Sequence, residues 1–92
     1  MQIILSERFQ RDVGSLSDDE REQIFDVLLK LPSAIKEIHS HSGIGLRKIH
    51  SSGIYEARIG LGLRMVFGFE KNSLSLHRVG THDEIRRYLK SL

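Results

Sequence analysis

Residues 54–89 read IYEARIGLGLRMVFGFEKNSLSLHRVGTHDEIRRYL, and the periodicity of this stretch decides the fold. Tyr55, Ala57 and Ile59 alternate with Glu56 and Arg58. After the Gly60-Leu61-Gly62 step, Leu63, Met65, Phe67 and Phe69 alternate with Arg64, Val66 and Glu70. A period of two is that of strands with one buried face. The spacing predicts strands at about 44–50, 54–60, 63–70 and 73–79, joined at Ser51-Ser52-Gly53, Gly60-Leu61-Gly62 and Lys71-Asn72. Connections this short require antiparallel neighbours, a β-meander. The apolar set belongs against a helical layer, which leaves Glu56, Arg58 and Arg64 on the uncovered face. In the last strand Leu74 and Leu76 fit the core side and His77 the open side. Arg78 breaks the alternation and is expected at the rim or after a bulge. Thr81–Lys90 predicts a short helix with basic residues in its last turns, where the helix dipole favours them.

Outward from this block, toward the N-terminus, the period changes. Met1–Leu5 is a short apolar run without helical spacing and is read as a strand. Ser6 offers an N-cap, and Phe9, Val13 and Leu16 form one stripe of a short helix that Gly14 weakens. Ser17-Asp18-Asp19-Glu20 has the S-x-x-E form of a capping box. Ile24, Phe25, Val27, Leu28, Leu29 and Leu31 then supply a broad apolar face that Pro32 is expected to end. The expected fold is α+β: an N-terminal strand and helical hairpin packed on one face of an antiparallel β-meander, with a short C-terminal helix. All of it is expected within a single domain over residues 1–92.

Composition narrows the class. Hydrophobic residues at 39% and charged residues at 28% exclude wholesale disorder. The absence of cysteine excludes disulfides and thiolate metal sites. No apolar run approaches the roughly 20 residues that cross a bilayer, and MQIILSERF is too short and too soon charged for a secretory signal. The expected location is the cytoplasm, with no membrane partner. Net charge is +2, unevenly spread: residues 1–46 carry five Lys/Arg against eight acids, and residues 47–92 carry nine against four. A basic half points to a polyanionic partner, phosphate above all, although a solvated basic surface accounts for the same charges.

The order of elements, together with IYEARIGLGLRMVFGFE and LSLHRVGTHDEIRRYL, resembles the RelE/ParE superfamily of bacterial toxins over essentially the whole chain. The RVGTH segment is similar to the YafQ-like branch, whose tail has a Gly-Thr-His step at the same place. The resemblance implies an endoribonuclease, an mRNA interferase that cuts mRNA in the ribosomal A site and is held inactive by a cognate antitoxin. Its partners would be that antitoxin, the ribosome and mRNA, with no cofactor and no metal. In such a reaction an RNA 2′-OH attacks the adjacent phosphate. A base takes its proton, an acid protonates the leaving 5′-oxygen, and cations stabilise the crowded phosphorane.

Carried over residue by residue, Arg64 lies where the family places its phosphate-contacting arginine, and a planar, permanently charged fork suits two phosphate oxygens. Arg58 occupies a position where relatives carry a basic or histidine side chain; the alternative is an ion pair with Glu56 or Glu70. His82 matches the tail histidine and is expected to be the general acid or base, since imidazole exchanges protons near neutrality; a bare helix-capping role is the competing reading. His41 stands about where the YafQ-like branch has another catalytic histidine. Arg47 and Lys48 are candidates for RNA-backbone contacts, and their parity puts one of them on the open face. Tyr88 either stacks on a nucleobase or packs on the sheet. Glu56 departs from relatives that carry lysine, and reads as a salt-bridge partner of Arg58 or as a carboxylate base. His39 and His41, with His77 or His82, lack the carboxylate spacing of a metal site, and Gly60-Leu61-Gly62 lacks the strand-to-helix context of a phosphate loop. Two other classes remain open. One is a ParE-like, non-enzymatic toxin directed at DNA gyrase, and the other is a catalytically decayed, antitoxin-binding homologue.

Overall fold

The computed structural model describes residues 2–36, 46–50 and 53–92. Its elements run β1 (Gln2–Leu5), α1 (Glu7–Gly14), α2 (Asp18–Lys36), β2 (Arg47–His50), β3 (Ile54–Ile59), β4 (Leu63–Glu70), β5 (Ser73–Thr81) and α3 (His82–Lys90). The strands form one sheet in the order β1-β5-β4-β3-β2. The four later strands are the expected antiparallel meander, and β1 adds to β5 in parallel at the edge. Of the expected strand over 44–50, Arg47–His50 is observed, while residues 44 and 45, Ser51, Ser52 and His41 lie outside the described residues.

Alternation sorts the residues as expected. Ala57, Ile59, Leu63, Met65, Phe67, Leu74 and Leu76 are buried in one core cluster with Phe9 of α1 and Ile24, Val27, Leu31 and Ala34 of α2. The capping box forms: Ser17 Oγ accepts from the Glu20 N–H, and Glu20 accepts from the Ser17 N–H. Lys71 and Asn72 both take positive φ (50° and 61°), the pair of left-handed residues that a two-residue hairpin between β4 and β5 requires.

Two expectations are corrected. Pro32 does not end α2, which continues to Lys36. A proline inside a helix forfeits a hydrogen bond at a cost of about 3 kcal/mol. Complete burial of Leu31 and near-complete burial of Ala34 in the core offset this cost. Nor is the second sheet face uncovered. The amphipathic α3 lies against β4 and β5, and Val66 and Ile85 are buried there, outside the main core cluster.

Arg78 sits after a bulge, as its broken alternation requires. Val66 pairs with Arg78 and Phe67 with Leu76, so His77 is the extra residue. The bulge returns Val79 to the core and leaves the β5 edge beyond Leu76 without a strand partner. There α1 substitutes for one: Ser6 Oγ donates to the His77 carbonyl, and Asp12 accepts from the Val79 N–H.

Candidate functional site

Arg58 and Arg64 face each other directly across β3 and β4. Like charges at opposed positions repel, and Glu56 relieves this. One same-face step from Arg58, its Oε1 lies 2.9 Å from Arg64 Nε, and its Oε2 lies 3.6 Å from Arg47 Nη2 on β2. Glu56 thereby ties three neighbouring strands together. It is only 5% exposed, because α3 crosses this face, and a carboxylate so buried persists only when paired. Its partners therefore differ from the expected Arg58. Arg47 stands directly opposite Glu56 on β2, and Arg64 is its diagonal neighbour on β4, within reach of a long side chain. Arg58 is exposed and, among the described residues, makes no ion pair.

The opposite wall of the site starts at the β5–α3 junction. Thr81 is the N-cap of α3: its hydroxyl accepts from the Glu84 N–H, and Glu84 Oε1 accepts from the Thr81 N–H. That backbone hydrogen bond, with the one to the Thr81 side chain, holds the Glu84 carboxyl below its usual value. A side chain at Gly80 would put a Cβ 3.3 Å from that of Glu84, so glycine is what allows the helix to start this tightly against the strand. His82 becomes the first residue of α3, and His82, Ile85, Arg86 and Leu89 share one helical stripe. Together with Arg47, Lys48, Ile49 and Glu56 they line a cavity of about 450 Å³.

Arg58, Arg64 and His82 thus stand at one end of one sheet face. Arg64 pairs with Gly80, two residues before His82, and its guanidinium is held by a carboxylate that lines the His82 cavity. Arg47 and Lys48 both line that cavity, contrary to the expectation that only one would join this face. Arg47 stands opposite Glu56, and an irregularity in the edge strand after Lys48 disturbs the strict alternation. Tyr88 is elsewhere. It projects from the other side of α3, with the Arg78 guanidinium 5.5 Å from its ring centroid, and lines a separate cavity with Ser6, Arg8, Arg11 and His77. Arg78 in turn is held by Asp12 at 2.7 Å.

Sequence reading missed four of these residues. Arg86 stands four after His82, a spacing that signals a shared helix face. Thr81-x-x-Glu84 repeats the S/T-x-x-E form recognised at Ser17. Asp12 has Arg8 as an i−4 neighbour at 3.4 Å, but nothing local points to Arg78, which is 66 residues away.

No family model matches the sequence, and no curated protein matches it. Solved structures do match in fold. The toxin of the RelB–RelE antitoxin–toxin complex from Methanococcus jannaschii superposes with a TM-score of 0.64 at 18% identity, covering 92% of this chain and 96% of that one. The DinJ–YafQ complex of E. coli gives 0.64 at 19% identity over 91% and 96% of the two chains. A YoeB/ParE toxin from Agrobacterium tumefaciens gives 0.67 at 16% identity over 89% and 99%. Identities this low speak for architecture alone, and the architecture is RelE-like.

Proposed function

We propose that this RelE-fold chain is the toxin of a toxin–antitoxin pair, an endoribonuclease that cleaves mRNA on the ribosome without a metal ion. The observation that carries the reading is the cross-strand pair Arg58–Arg64, of which Arg64 is held by the buried Glu56 beside the cavity that holds His82. Solved structures of the same fold include toxins bound to antitoxins, which supports a cognate antitoxin as the partner here.

In this reading the scissile phosphate meets Arg58 and Arg64, whose fixed forks match phosphate oxygens and stabilise charge as the 2′-oxygen bonds to phosphorus. His82, at the positive end of α3, exchanges the proton. The 2′-OH proton leaves as the O–P bond forms. The departing 5′-oxygen takes a proton as its bond to phosphorus breaks, leaving a 2′,3′-cyclic phosphate and a 5′-hydroxyl. Glu56 is engaged by two arginines, which favours a positioning role over that of a free base. Arg47, Lys48 and Arg86 supply cations for the RNA backbone. His41 keeps its expected role as a second proton-transfer group.

Primer extension of a reporter mRNA in a reconstituted translation reaction tests this. Cuts within codons, lost in His82→Ala and Arg64→Ala, are expected. Intact mRNA together with inhibition of DNA gyrase would overturn it. That second outcome corresponds to the ParE-like reading, which the partial neutralisation of the arginines by Glu56 favours.

A further inference from the structure

The sheet face that carries Arg58 and Arg64 continues beyond α3 into a groove of about 820 Å³, larger than the cavity beside His82. It begins one same-face step from Glu56, at Ile54, and crosses the sheet through the register row Ile54–Gly68–Ser75. Gly68 and Ser75 present almost no side chain, so backbone forms the floor. The β5 bulge turns His77 over this floor. A Cβ built at Gly68 would lie 3.1 Å from the imidazole Nε2, so the ring can sit this close to β4 only because residue 68 is glycine. Burial lowers the pKa of His77 from its ordinary value, which leaves the ring uncharged at neutral pH.

The chemistry of this groove differs from that of its neighbour. The cavity at His82 is cationic. Here Glu70 and Lys71 offset one another at one end, and the other lining groups include Ile54, Phe69, an imidazole, the hydroxyls of Ser73 and Ser75 and the amide of Gln2. A phosphate finds no cationic cradle there. A flat, uncharged ring with hydrogen-bonding edges finds a stacking surface, an apolar flank and short polar side chains, the combination by which proteins read unstacked bases. Gly68 is four residues from Arg64 along β4, about 13 Å, which is within reach of the bases flanking a phosphate held at Arg64.

We propose that the groove floored by Gly68 and His77 is a nucleobase subsite, seating a base of the RNA strand that flanks the phosphate at Arg58 and Arg64. It deepens the ribonuclease reading and rests on it.

Fully 2′-O-methylated hexanucleotides, one homopolymer for each base, lack the attacking hydroxyl and report binding without cleavage. Titrated into the ¹⁵N-labelled full chain, they are expected to shift the amides of Gly68 and Ser75 and the His77 ring along with residues around His82. Affinity is expected to differ among the four homopolymers. Gly68→Ala, which displaces the imidazole, and His77→Ala, which removes it, are expected to weaken the preferred homopolymer roughly fivefold and to level the preference. Shifts confined to the His82 cavity, or a preference unchanged in His77→Ala, would overturn the subsite while leaving the ribonuclease reading in place. Shifts in neither region would overturn the subsite, while the primer-extension assay decides the ribonuclease reading separately. Mapping on the unsubstituted chain decides the matter even if Gly68→Ala does not fold.

Discussion

Arg64 and Arg58 are the same residue type on the same face, and the structure gives them different surroundings. Arg64 is held at 2.9 Å by a buried carboxylate, whereas Arg58 is exposed. Arg64→Ala is expected to lower cleavage at least about tenfold, equivalent to about 1.4 kcal/mol of transition-state binding. It should also cost stability, because the nearly buried Glu56 loses its closer partner. Arg58→Ala should lower cleavage while leaving Tm within a few degrees of the parent, as exposed substitutions do. Calorimetry run beside the cleavage assay checks both, and a large fall in Tm for Arg58→Ala would assign that residue to the scaffold. The period of two was enough to place both arginines on one face. It could not reveal that Glu56 turns toward Arg64 and Arg47, because cross-strand distances depend on register.

Among the elements, α3 has the most to do with the site. Its N-terminus carries His82, and the reciprocal bonds between Thr81 and Glu84 fix where that terminus begins. Thr81→Ala is expected to destabilise by about 1 kcal/mol, and to reduce cleavage further by loosening His82, whereas Thr81→Ser should restore both. Cleavage rates for the pair, compared with Tm, separate the capping effect from the catalytic one. The helix also shows where local rules reach their limit. Pro32 breaks a helix by propensity, but α2 runs through it because its next residues are core. Tyr88 and His82 belong to one short helix whose residues diverge by 100° each, so the face that meets the sheet separates them.

The molecule as a whole is locked by a contact far from the arginine pair. Asp12 of α1 holds Arg78 and the Val79 N–H of β5, and Arg78 lies over Tyr88 of α3, so one ionic cluster joins three elements. Both side chains of the ion pair are nearly buried. Asp12→Ala is expected to cost about 3 kcal/mol and to lower Tm by on the order of 15 °C, measurable by calorimetry.

Stability should also respond to pH through His77. Glu70 and Lys71 line one side of its surroundings, and Arg8, Arg11 and Arg78 the other. Burial depresses its pKa in the folded chain, so the unfolded chain binds the proton more readily. The contribution from this group is complete above the ordinary histidine value near 6.5 and is lost as pH falls through the depressed one. Tm should therefore fall below about pH 6.5, and His77→Gln should flatten that part of the profile. An unchanged slope in His77→Gln would assign the acid loss to other groups.

Sequence periodicity alone was sufficient for the meander strands, the turns at Gly60-Leu61-Gly62 and Lys71-Asn72, the helical layer and the face on which Arg58 and Arg64 stand. Each of these follows from side chains within a few positions of one another, where backbone geometry leaves few choices. Three things required the folded chain: the passage of α2 through Pro32, the clamp at Glu56, and the separation of Tyr88 from His82. These depend on which distant surfaces meet, and burial energies of several kcal/mol there outweigh local preferences. The pairing of Asp12 with Arg78 belongs with them, since no spacing rule links residues 66 positions apart.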